Sequence, residues 1–128
     1  MAWHLDTNVC IDLLRGKSKG GKLPPFAQCQ LSAVVTAELW TGVGKSRDPV
    51  AARAKLTVFL GLFTVLPFDA AAAEAYGEIR AHLEQAGTPI GPMDLLIAAH
   101  ARSVGATLLT ANLKEFRRVP GLSTQAWG

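Results

Sequence analysis

Short apolar runs alternate along the chain with longer stretches in which apolar residues recur every three or four positions. These two periods separate buried strands from amphipathic helices. Trp3-His4-Leu5 is such a run, and it ends abruptly in Asp6-Thr7-Asn8. A helical pattern follows with Val9, Ile11, Leu13 and Leu14, and it stops near Gly16. Pro24-Pro25 keeps the chain extended. Residues 31–34 read as a second strand, and a helix from Val35 carries Leu39, Trp40 and Val43, with Thr36 or Ser32 near its start. Another helix spans 49–62, with Ala52, Leu56, Phe59 and Leu60 on one face. Thr64-Val65-Leu66 is a third short strand, closed by Pro67. Asp69 caps a long helix whose core stripe is Tyr76, Ile79, Leu83 and Ala86. Asp94 opens a further helix that buries Ile97, Ala98, Ala101 and Val104. Residues 107–110 form a strand, 112–118 a loop or short helix, and 122–127 an edge strand. Strands alternating with helices predict an α/β fold, with a parallel sheet covered on both faces.

The chain has 128 residues, 49% apolar and 18% charged, which suits one globular domain over 1–128 rather than a disordered chain. No run reaches the roughly 18 apolar residues of a membrane span. The start of the sequence lacks the basic and apolar regions of a signal peptide. We therefore expect no membrane association and a cytoplasmic location. Cys10 and Cys29 read as buried, reduced thiols, and the three histidines (His4, His82 and His100) as structural residues with no ligand-pair spacing. A net charge of +3 matters only if the basic residues surround an acidic site.

Four acids can form that site. Asp6 ends the first strand, Glu38 lies early on the helix after the second, Asp94 sits at a helix N-terminus, and Glu115 follows the strand ending at Thr110. In a parallel sheet these positions share one edge, where α/β proteins bind ligands. Crowded carboxylates raise one another's pKa, and a hard divalent cation removes that cost. The helix N-terminus favours the ionised form of Asp94. The remaining acids, Asp12, Asp48, Asp69, Glu74, Glu78 and Glu84, read as caps or solvated faces.

Asp6-Thr7-Asn8, Thr36-Ala37-Glu38-Leu39, the stretch from Gly91-Pro92-Met93-Asp94 to Ala99, and Thr110-Ala111-Asn112-Leu113-Lys114-Glu115-Phe116 together resemble the PIN-domain family. The resemblance is to its VapC-type branch, the toxins of toxin–antitoxin pairs, and runs from the first strand to Trp127. It implies a three-layer α/β/α sandwich and a Mg²⁺- or Mn²⁺-dependent endoribonuclease that cuts structured RNA, such as loops of transfer or ribosomal RNA, with a metal-activated water. Carried over by position, Asp6, Glu38 and Asp94 match the metal-binding acids. Glu115 is the fourth acid, with Asn112 a polar ligand or substrate contact. Thr7, Asn8 and Thr110 would support the carboxylates. Lys17, Lys19, Lys22, Lys45, Arg47, Arg117 and Arg118 are candidates for gripping the RNA backbone. The resemblance also implies a homodimer and a cognate VapB-like antitoxin.

Other readings compete. Gly44-Lys45-Ser46 fails as a phosphate loop, because Leu39 stands where the earlier glycine is required. Asp6 as a phosphorylated aspartate would want a second Asp two residues on, where Asn8 stands, or a lysine on a late strand. An inactive binding module would have little use for all the acids. A DNA-directed nuclease on the same fold differs only in substrate.

Overall fold

The computed structural model describes residues 1–17 and 21–128. Its centre is β1 (Trp3–Leu5), flanked by β2 (Cys29–Ser32) and β4 (Thr107–Thr110), with β3 (Thr64–Leu66) and β5 (Ser123–Ala126) at the edges. The order is β3-β2-β1-β4-β5, and every neighbouring pair is parallel. Among the described residues six α-helices connect or flank the strands: α1 (Thr7–Leu14), α2 (Ala33–Gly44), α3 (Pro49–Leu60), α4 (Ala70–Gln85), α5 (Pro92–Ser103) and α6 (Leu113–Phe116). This is the expected α/β architecture. Parallel strands need crossovers, and the crossovers here are helices whose apolar stripes cover the sheet.

Local chemistry explains where the elements begin. Asp6 caps α1 through its own side chain, which accepts from Thr7 N–H at 2.8 Å. Asp48 and Asp69 cap α3 and α4 in the same manner, at 3.1 and 3.0 Å. The second strand lies two residues earlier than expected, because Ser32 turns out to be a cap: its hydroxyl accepts from Val34 N–H at 3.1 Å and starts α2 at Ala33. Thr36 lies inside that helix and donates to the Ala33 carbonyl. Likewise α5 starts at Pro92, a residue suited to the first helical position, and Asp94 is its third residue.

Leu5, Val9, Leu31, Ile79, Leu83, Ile97, Leu108 and Phe116 are fully buried between the layers. Two expected core residues are not: Ala86 follows α4, Val104 follows α5, and both face solvent. Asp12 departs from expectation in the other direction. It is buried on α1, where Trp127 Nε1 donates to its Oδ2 at 3.1 Å. The Trp127 backbone N–H donates to the Thr110 carbonyl, and its ring lies against Gly21, where an added Cβ would come within 2.6 Å. Cys10 and Cys29 are buried free thiols, as expected. Among the described residues, no helix is long and apolar enough to cross a membrane.

Candidate active site

Asp6 is 3% exposed, at the carboxyl end of the central strand. Its backbone N–H donates to the Leu109 carbonyl, which locks the turn from β1 into α1 onto β4. Both carboxylate oxygens are used. Oδ1 accepts from Thr7 N–H, and Oδ2 accepts from the Thr110 hydroxyl at 2.7 Å. Thr110 Oγ1 in turn accepts from the Asn112 N–H at 2.9 Å. Burial raises the Asp6 pKa, the two hydrogen bonds pull it back, and the charge of Glu38 pushes it up again.

Glu38 projects from the second turn of α2, half-buried. The Thr7 hydroxyl donates to its Oε1 at 2.6 Å. Thr7 therefore serves two acids at once: its backbone holds Asp6 and its side chain holds Glu38.

Asp94 and Glu115 complete the group from α5 and α6. Asp94 is pushed from an ordinary 3.8 to about 7. Burial is the largest cause, followed by the charge of Asp6, a hydrogen bond shared with Glu115, and the charges of Glu115 and Glu38. Asp94 thus feels all three of the other acids, although 109 positions separate the first from the last (115 − 6). The N-terminus of α5 does favour an ionised Asp94, but such an effect is worth only about 0.3–1 kcal/mol. Burial and like charges outweigh it.

The candidate residues divide clearly. Asp6, Glu38, Asp94, Glu115, Thr7 and Thr110 converge. Asn112 contributes through its backbone, while Asn8 is solvent-exposed on the first turn of α1. Arg117 and Arg118 directly follow α6, beside Glu115, and Arg118 donates to the Pro89 carbonyl. Lys22 follows Gly21, which packs on Trp127 next to Thr110. Lys45 and Arg47 are exposed at the far end of α2, and Lys45 is about 10 Å along the helix from Glu38 at ~1.5 Å per residue. Lys17 is exposed past the end of α1. Lys19 lies outside the described residues.

The donor set suits a hard cation. It is all oxygen, and it carries mutual repulsion that a divalent ion would relieve. Among the described residues no three His, Cys, Asp or Glu side chains form a ready cage. Mg²⁺ does not require one, because it usually keeps several waters and takes one or two carboxylates.

Beside Glu38 a groove of about 410 Å³ runs between α1, α2 and α3, lined by Ile11, Leu14, Leu39 and Val43, with Arg15 and Lys55 among its charged members. Sequence reasoning missed this groove. It also missed the Asp12–Trp127 pair, although an acid inside the apolar stripe of α1 was a signal.

The PIN domain family model matches residues 4–122. The chain belongs to the PIN-domain family. Within that family it is 40% identical to ribonuclease VapC2 of Rickettsia felis, with 99% of this chain and 98% of the relative covered. It is 42% identical to the tRNA(fMet)-specific endonuclease VapC of Shigella flexneri, over the same shares of each chain. Among solved structures it superposes on a chain of the DNA-bound VapBC of Salmonella typhimurium with a TM-score of 0.90 at 35% identity, covering 100% of this chain and 99% of that one. A VapBC2 of Rickettsia felis bound to a promoter DNA fragment gives 0.88 at 36% identity, with both chains fully covered. Both the PIN-domain assignment and its VapC-type branch are thereby borne out.

Proposed function

We propose that the chain is a divalent-metal-dependent endoribonuclease, the toxin of a toxin–antitoxin pair, acting in the cytoplasm on structured RNA such as transfer or ribosomal RNA loops. The observation that carries this reading is the convergence of Asp6, Glu38, Asp94 and Glu115 at one sheet edge, where burial first and the neighbouring acids next push Asp94 up. Relatives named as ribonucleases and tRNA endonucleases over the full chain support RNA as the substrate.

Asp6, Glu38 and Asp94 would hold Mg²⁺ or Mn²⁺. When bound, such an ion activates water and neutralises charge developing on a phosphodiester. The chain's own residues do the rest. Thr110 and the Thr7 backbone fix both oxygens of Asp6, and the Thr7 hydroxyl fixes Glu38, so the acids cannot rotate out of reach. Glu115 lies close enough to Asp94 to raise its pKa and would take or return a proton there. The N-terminus of α5 faces the same edge and favours an incoming phosphate. Arg117, Arg118 and Lys22 would contact the flanking backbone, with Lys17, Lys45 and Arg47 farther out.

The groove beside Glu38 is where we place a VapB-like antitoxin segment with an apolar face. Solved neighbours are VapBC complexes, and one at 30% identity is described as a member of the VapBC family of toxin–antitoxin systems. A homodimer is part of the proposal.

The test is to express the chain alone and map new 5′ ends across cellular RNA. Purified protein is then compared on RNA and DNA, with Mg²⁺ and with chelator. RNA cleavage that is lost with chelator and lost in Asp6→Asn supports the reading. Cleavage of DNA in preference to RNA would favour the sibling nuclease instead.

A further inference from the structure

His100 is 1% exposed, on α5 six residues beyond Asp94. Its Nδ1 lies 2.6 Å from Ser32 Oγ, in a buried hydrogen bond that joins two helices 68 positions apart in sequence. Ser32 is also the cap of α2, the helix that carries Glu38. The imidazole edge meets the His4 ring at 5.3 Å, with the planes 83° apart, and the Phe68 ring at 5.5 Å. His4 lies two residues before Asp6 on the central strand, and its Nε2 pairs with Gln30 Oε1 at 3.2 Å. One buried side chain thus touches the strand that ends in Asp6 and the junction that starts the Glu38 helix, and it sits on the Asp94 helix itself.

A leucine would fill such a place without any desolvation cost, so an imidazole here has to be explained by its nitrogen. The Ser32 cap already satisfies Val34 N–H without help. The bond to His100 uses the other capacity of the same hydroxyl, and it ties the start of α2 to α5. Burial lowers the pKa of both imidazoles, opposed at His100 by the charge of Asp69, and in its neutral form His100 Nδ1 can accept from the Ser32 hydroxyl.

We propose that His100 is a positioning residue for the reaction: through Ser32 it holds α5 against α2 and so sets the separation of Asp94 from Glu38. This rests on the ribonuclease reading above. A misplacement of about 1 Å at a reacting group can cost on the order of a hundredfold in rate.

The experiment uses the full chain with three substitutions. His100→Leu keeps the bulk and removes the bond. His100→Asn places an amide atom where Nδ1 was, and His100→Gln places one where Nε2 was. Each variant is measured for RNA cleavage per folded molecule and for Mn²⁺ affinity by calorimetry without RNA. We expect His100→Leu to lose about tenfold or more in kcat and in Mn²⁺ affinity, with KM changed by less than about twofold. His100→Asn should recover most of this and His100→Gln should not. Wild-type kcat and Mn²⁺ affinity in folded His100→Leu would overturn the proposal, and so would equal behaviour of the Asn and Gln variants, even if the leucine variant does not fold. A wild-type chain that neither cleaves RNA nor binds Mn²⁺ removes the ribonuclease reading itself, and the positioning role with it.

Discussion

Replacing Asp94 by asparagine should make the protein inactive and more stable at the same time. Asparagine has the shape of aspartate without its charge. In the metal-free chain, ionising Asp94 works against burial and three neighbouring carboxylates, which move it from 3.8 to about 7. At ~1.4 kcal/mol per pH unit, that span corresponds to about 4 kcal/mol. Asp94 is only half-buried, and solvent screening reduces the figure to about 1–2 kcal/mol. The sign follows from linkage. A carboxyl group raised in the folded state contributes most below its unfolded value of 3.8, and that contribution is lost as pH rises through about 7. Asp94→Asn should therefore raise the melting temperature by about 4–8 °C at pH 8 with chelator present, at roughly 4 °C per kcal/mol for a chain of this size. The gain should shrink as pH falls and be nearly gone by pH 4. Mg²⁺ should stabilise wild type at pH 8 and leave the variant nearly unmoved. Calorimetry at several pH values and an RNA cleavage assay check both halves. A variant less stable than wild type at pH 8 in chelator would show that the acids do not crowd one another, and a fully active one would remove Asp94 from the chemistry.

Thr7→Val should cost about 10–100-fold in cleavage by freeing Glu38, with a change in stability below about 1 kcal/mol, read from kinetics and urea unfolding together. Trp127→Phe leaves buried Asp12 without the indole N–H, and should lower urea-unfolding stability by about 1–3 kcal/mol while cleavage per folded molecule persists. His4 is lowered from 6.5 to about 4, so the stability it allows is present above pH 6.5 and is lost as pH falls to about 4. His4→Leu should remove about 3 kcal/mol of that acid sensitivity, measured as the pH dependence of unfolding free energy relative to wild type.

Much of the site could be read from the sequence because its parts carry local signatures. An apolar run ending in Asp6-Thr7-Asn8 marks a strand end, and the structure adds that Asp6 also caps the helix that follows. The parallel topology then brings Glu38, Asp94 and Glu115 to the same edge without any knowledge of side-chain contacts. Errors arose where one pattern fits two structures. Leu31-Ser32-Ala33-Val34 is apolar enough for a strand, but the hydroxyl of Ser32 reaches Val34 N–H, and a cap takes precedence over pairing. Ala86 and Val104 keep the helical period but fall just past the last turn, where nothing remains to cover them. The Asp12–Trp127 pair, 115 positions apart, and the His100–Ser32 pair have no period at all. Such contacts follow from the assembled layers and not from neighbouring residues.

The scatter of the four acids along the polypeptide has a bearing on the timing of synthesis. A ribosome makes Asp6 109 positions before Glu115, and β4, which carries Thr110 to Asp6, pairs directly with β1 at the heart of the sheet. No nascent fragment that stops before β4 brings the four acids together. The acid cluster can therefore close only after β4 and α6 have been made and packed, so whatever chemistry it supports waits for the strands and helices around it.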